Sequence, residues 1–101
     1  MDEKKIKVIC LYADNKTARY LIKNIEIGYG LVLAISLERI IKTQKDVTND
    51  TKVYVNYSIE KGEESETLDI EITMDSCITP YDIFKNATSK LANFVQEFSE
   101  I

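Results

Sequence analysis

From residue 5 onward the apolar and polar positions of the chain keep the periods of secondary structure. Between Lys5 and Tyr12 they alternate, with Ile6, Val8, Cys10 and Tyr12 on one face and Ile9 and Leu11 on the other, which predicts a strand. Ala13-Asp14-Asn15-Lys16 reads as a turn. Arg19 to Ile27 reads as a second β-prone stretch, brought to a stop by Asn24, Gly28 and Gly30. The period then changes. Leu31, Val32, Leu33, Ala34, Ile35, Leu37, Ile40 and Ile41 leave only Ser36, Glu38 and Arg39 polar before Lys42, the mark of a helix buried around most of its circumference. Thr43 to Thr51 carries no hydrophobic period and reads as a linker.

Two further runs alternate cleanly: Val53, Val55, Tyr57 and Ile59, then Leu68, Ile70, Ile72 and Met74, so two half-buried strands are predicted. The acidic segment Glu60-Lys61-Gly62-Glu63-Glu64-Ser65-Glu66 between them reads as a solvated hairpin loop rather than a cation site. A last helix opens with Thr79 as N-cap, Pro80 in the first helical position and Asp82 where a capping-box acid stands. Phe84, Ala87, Leu91, Phe94, Val95 and Phe98 then form one apolar stripe. The order ββαββα predicts an α+β fold of two layers, a four-stranded antiparallel sheet with two helices on one face, as a single domain over residues 1–101.

A two-layer domain buries only one side of each helix, so a helix apolar nearly all round implies a partner. Dimerisation through the helices is therefore expected, with Leu33, Leu37, Ile40, Phe84, Leu91, Phe94 and Phe98 at the interface. The alternative is that these residues pack on one another within one chain.

Composition narrows the chemistry. The chain has 101 residues, 45% hydrophobic and 30% charged, with a formal net charge of −4. No apolar run in the chain, Leu31 to Ile35 included, approaches the roughly 20 residues of a membrane span. The charged start Met1-Asp2-Glu3-Lys4-Lys5 leads into no signal-type core, so neither membrane insertion nor secretion is expected. An acidic chain has no surplus cations to release counterions from nucleic acid, and direct DNA contact is not expected either. The absence of histidine removes the commonest general base and metal ligand. Cys10 and Cys77 lie far apart and are expected to be buried thiols. No catalytic, metal or cofactor site is predicted. Gly28-Tyr29-Gly30 precedes a helix as phosphate loops do, but position 33 is leucine, so the pair reads as backbone punctuation between strand and helix. Asp75 and Asp82, flanking the last helix start, read as structural partners of its dipole.

Three stretches, in order, resemble the amino-terminal assembly domain of the α subunit of bacterial-type, multisubunit DNA-directed RNA polymerase. The first runs from Ile27 through Gly28-Tyr29-Gly30 and Leu31 to Ile41 and is similar to the family's strand, GYG turn and first helix. The second, Val55-Asn56-Tyr57 with Glu60, is similar to its VNY strand, and the third, Leu68 to Pro80 followed by Ala87 and Leu91, to its last strand and helix. Ala34-Ile35 stands where the family has Gly-Asn, and Glu38 where it has the first arginine of a pair; Arg39 matches the second. The resemblance implies a non-catalytic subunit of a nucleotidyltransferase complex, dimerising as a homodimer or with an α-like partner and scaffolding the large β and β′ subunits, with Arg39 at the β contact. The linker replaces the family's inserted subdomain, and the family's carboxy-terminal DNA-binding domain is not expected. That minimal form, with residue choice weighted to Ile, Lys, Asn and Tyr as in an A/T-rich genome, implies a plastid-encoded protein of the chloroplast stroma, with a bacterial cytoplasm as the alternative. Two other readings remain: a small L-type partner subunit forming a heterodimer, and a free-standing dimeric α+β domain that binds a regulatory ligand or carries a carboxylate-based site between protomers.

Overall fold

A computed structural model describes residues 6–44 and 51–92. The elements are β1 (Lys7–Ala13), β2 (Thr17–Ile25), α1 (Gly30–Lys42), β3 (Val53–Lys61), β4 (Glu66–Met74) and α2 (Pro80–Ala92), the ββαββα order of an α+β fold. All strand pairs are antiparallel, in the spatial order β1-β2-β4-β3. Both hairpins join neighbours in sequence, and the central pairing of β2 with β4 brings them together. No helix among the described residues is long and apolar enough to cross a membrane.

The core lies between one face of the sheet and the two helices. Ala18, Tyr20 and Ile22 of β2 and Leu68, Ile70, Ile72 and Met74 of β4 point inward at the period of two that the sequence shows. They meet Leu33, Ala34, Leu37 and Ile41 of α1 and Ile83, Phe84, Ala87 and Leu91 of α2. The Tyr20 and Phe84 rings stack with centroids 3.8 Å apart and planes within 9°. Burial pushes the Tyr20 phenol above its ordinary range. α1 lies over β3 and β4, and α2 over β2 and β4.

Helix ends follow local chemistry. The Thr79 hydroxyl accepts from the Asp82 backbone N–H at 3.2 Å and donates to the Asp82 carboxylate at 3.1 Å, and Pro80 starts the helix where no N–H is needed. Close to this cap, Gln44 is buried and its side-chain amide donates to the Ile83 carbonyl at 2.8 Å. This ties the end of α1 to the first turn of α2. Gln44 is thus an anchor within what the sequence presents as a polar linker, of which residues 45–50 lie outside the described residues.

Several local expectations are corrected. Asn24 does not end β2: it sits at φ 65° inside it, where the pairing with β4 shifts between Ile22 and Ile25. Asparagine tolerates this left-handed conformation better than other side chains, and the irregularity carries Ile25 into the core. A second shift between Cys10 and Tyr12 sets Tyr12 opposite Arg19, on the face away from the helices, instead of with Val8 and Cys10. Both cysteines are exposed, not buried. Cys10 lies on the edge strand β1, and Cys77 in the loop between β4 and α2.

The outer face of the sheet is polar and cross-linked. The Arg19 guanidinium grips Asp69 with both ends of its fork, Nε to Oδ1 at 2.9 Å and Nη2 to Oδ2 at 2.6 Å, bridging β2 and β4 diagonally. The Tyr12 hydroxyl donates to Glu71, which raises the phenol's pKa. Hydrogen bonding from Arg19 holds the Asp69 carboxyl below its ordinary 3.8. A carboxylate whose pKa is depressed on folding contributes stability that is present above its unfolded pKa and lost as pH falls through the folded one. Acidification below about pH 3.8 should therefore weaken the fold, by under about 1 kcal/mol from this half-exposed pair. Asp69→Asn should flatten that part of the curve, read by urea unfolding between pH 2 and 6; an unchanged slope would remove the pair from the acid response.

Candidate docking surface

The turn into α1 is where backbone and side chain constrain each other most. Gly28 has φ +96°, a conformation that side chains rarely adopt, and the Tyr29 N–H bonds back to the Glu26 carbonyl at 3.0 Å. Tyr29 then occupies the N-cap position but supplies no side-chain cap. Glu66, the first residue of β4, does that work from across the fold. Its carboxylate accepts from the Gly30 N–H at 2.8 Å and from the Gly28 N–H at 3.2 Å. A helix start leaves N–H groups unpaired and carries partial positive charge, so a buried acid is favourable there. Glu66 is 3% exposed, and a Cβ on Gly30 would stand 2.5 Å from its Oε1. Gly30 is thus required by contact, Gly28 by conformation.

This corrects the reading of 60–66 as a wholly solvated loop. Glu66 shares its parity with Leu68, Ile70, Ile72 and Met74, and so faces inward with them. That parity is the signal in the sequence that marks it. The GYG turn does not present a vacant anion site, because the chain's own carboxylate already accepts from it.

Anchored in this way, α1 buries Gly30, Leu33, Ala34, Leu37 and Ile41 and turns Leu31, Val32 and Ile35 to the outside. Leu31 and Val32 are 52% and 57% exposed, and Ile27 and Tyr29 at the turn before the helix are exposed as well. Arg39, at i+4 from Ile35 and i+7 from Val32, is exposed on the same side. Its neighbour Lys42 is engaged with Glu38 at 3.0 Å, an i,i+4 pair, whereas Arg39 has no ion-pair partner among the described residues.

The residues expected at a helical dimer interface separate on this geometry. Leu33, Leu37, Phe84 and Leu91 are buried inside the single chain, and Ile40 is partly buried against the same core. They face the sheet and the other helix, so the chain itself uses the surface they were expected to offer a partner. Phe94 and Phe98 lie outside the described residues. The apolar side left over on α1 is Leu31, Val32 and Ile35, which an all-round apolar helix does not single out from sequence. Gly28, Tyr29, Gly30, Thr79 and Pro80 stand at the turn and cap positions expected of them. Among the described residues no three His, Cys, Asp or Glu side chains cluster as a metal site would.

No protein-family profile, no curated protein and no solved structure matches the chain.

Proposed function

We propose that this chain is a non-catalytic assembly subunit that works by presenting the outer face of α1 to partner proteins, in the manner of an RNA polymerase α subunit. The observation that carries the reading is the apolar patch of Leu31, Val32 and Ile35 on a helix whose start is locked by Glu66, with the exposed Arg39, which has no ion-pair partner among the described residues, beside it. An apolar face rimmed by an exposed cation is what protein association uses: the apolar centre supplies burial and the charge supplies orientation. The resemblance of the GYG turn, the VNY strand and the last strand and helix adds the partners. These are a second copy or an α-like chain on α1, and the β and β′ subunits of a polymerase, with Arg39 toward β. Plastid stroma is the compartment that goes with this reading, and bacterial cytoplasm the alternative.

Affinity purification of the tagged chain from its native source tests it. The β and β′ subunits should co-purify, and Val32→Asp should abolish their recovery while the protein stays folded. Arg39→Ala should weaken capture of the β subunit roughly tenfold or more, since a charge-assisted contact contributes about 1.5 to 3 kcal/mol. Recovery of a free chain with no large subunits would favour a free-standing α+β domain instead.

A further inference from the structure

The edges of the sheet differ in a way the docking face does not explain. β1 is irregular, its pairing interrupted between Cys10 and Tyr12. β3, at the opposite edge, runs nine residues from Val53 to Lys61 in unbroken register with β4 and contains neither proline nor glycine. Its outer row of backbone N–H and C=O groups therefore forms a straight template, the feature that natural edge strands suppress unless something pairs with them. The inner side chains of β3 are also incompletely covered. Val53, Val55, Tyr57 and Ile59 are only partly buried, while their counterparts on β4 are fully buried.

We infer that β3 pairs antiparallel with β3 of a second copy about a two-fold axis at Asn56, joining two sheets into one of eight strands. The inference goes beyond the docking reading and uses none of the residues of the α1 face.

The strand itself selects this occupant and this register. Residues opposed on antiparallel strands share a face, so a two-fold can pass only through a residue opposed to itself. With the axis at Asn56, Val53 opposes Ile59 and Val55 opposes Tyr57, each twice, covering the four inner side chains that one chain leaves half open. On the outer face Tyr54 opposes Ser58, and Lys52 opposes Glu60, again twice. Lys52 and Glu60 are both exposed and have no ion-pair partner among the described residues. Moving the axis by one residue loses the match. At Val55, Lys52 would face Ser58; at Tyr57, it would face Gly62. Apolar pairing and charge pairing thus agree on one register, and strand addition provides main-chain hydrogen bonds along it.

Sedimentation velocity on the full chain over a range of concentrations tests the pairing. Glu60→Lys sets lysine against Lys52 at both ends and should raise the dissociation constant about tenfold or more, because like charges directly opposed destabilise a strand pair. Lys52→Glu combined with Glu60→Lys should restore it to within about threefold of the parent, since opposite charges again face each other. All these side chains are exposed, so circular dichroism should report an unchanged fold. In a Cys10→Ser/Cys77→Ser background, Asn56→Cys should give a disulfide-linked dimer on mild oxidation, while Ser58→Cys, which faces Tyr54, should not. Equal behaviour of the single and double charge variants, equal cross-linking at positions 56 and 58, or a chain that stays monomeric up to millimolar concentration would overturn the pairing. A dimer lost with Val32→Asp but indifferent to Glu60→Lys would overturn it while leaving the α1 docking reading intact. Loss of large-subunit capture alone bears only on that reading.

Discussion

Leu37→Ala should lower the unfolding free energy by about 2 to 5 kcal/mol, whereas Val32→Asp on the opposite side of the same helix should change it by no more than about 0.5 kcal/mol. The contrast follows from orientation. Leu37 is fully buried between the sheet and α2, and truncating it leaves a cavity in a packed core. Val32 is 57% exposed, and an aspartate near the start of α1 meets the favourable end of the helix dipole. In partner capture the order should invert, with Val32→Asp abolishing it. A loss of this size is a large fraction of the 5 to 15 kcal/mol that typically holds such a domain together. Urea unfolding followed by circular dichroism, run beside the capture assay, reads both. If Leu37→Ala unfolds with the parent's midpoint, or Val32→Asp lowers stability as much as Leu37→Ala, then the assignment of the two faces of α1 is wrong.

The second large effect lies at the start of α1. Glu66→Ala should cost about 1 to 3 kcal/mol, because the N–H groups of Gly28 and Gly30 lose their side-chain acceptor in a buried place. Gly30→Ala should also destabilise, although alanine ordinarily improves a helix by nearly 1 kcal/mol over glycine, since the new methyl would stand 2.5 Å from Glu66 Oε1 and 3.1 Å from Ile59 Cγ2. The two changes share a contact and should not add. In the double variant the carboxylate is gone, so the methyl meets chiefly Ile59, and the combined loss should fall short of the sum by about 0.5 kcal/mol or more. A double-mutant cycle in urea measures this directly. If Gly30→Ala costs the same with and without Glu66, the close approach of the carboxylate is not why position 30 is glycine.

These variants also show where local pattern stops carrying information. The order of elements, the two alternating strands β3 and β4, the capped start of α2 and the polar outer face of the sheet follow from period and turn chemistry, because those depend on residues close along the chain. Arg19 and Asp69 are separated by fifty residues in sequence yet meet on one face, so their fork exists only once β2 pairs with β4. Tyr12 is a similar case. Its parity along β1 places it with Val8 and Cys10, and one shift in pairing moves it to the other face.

Taken alone, the sequence determined an α+β chain of four strands and two helices, the glycine turn before the first helix and the threonine-proline start of the second. Local sterics and hydrophobic period suffice for each of these. Only the tertiary structure decided that Glu66 is buried as the cap of α1, that Leu33, Leu37, Phe84 and Leu91 belong to the core, and that Leu31, Val32 and Ile35 are left outside. A helix apolar on every side has no preferred face of its own. The rotation that turns Gly30, Leu33 and Leu37 toward the sheet is chosen by where the β4 carboxylate meets the helix start and where Gln44 meets Ile83, and both contacts join residues nearly forty positions apart.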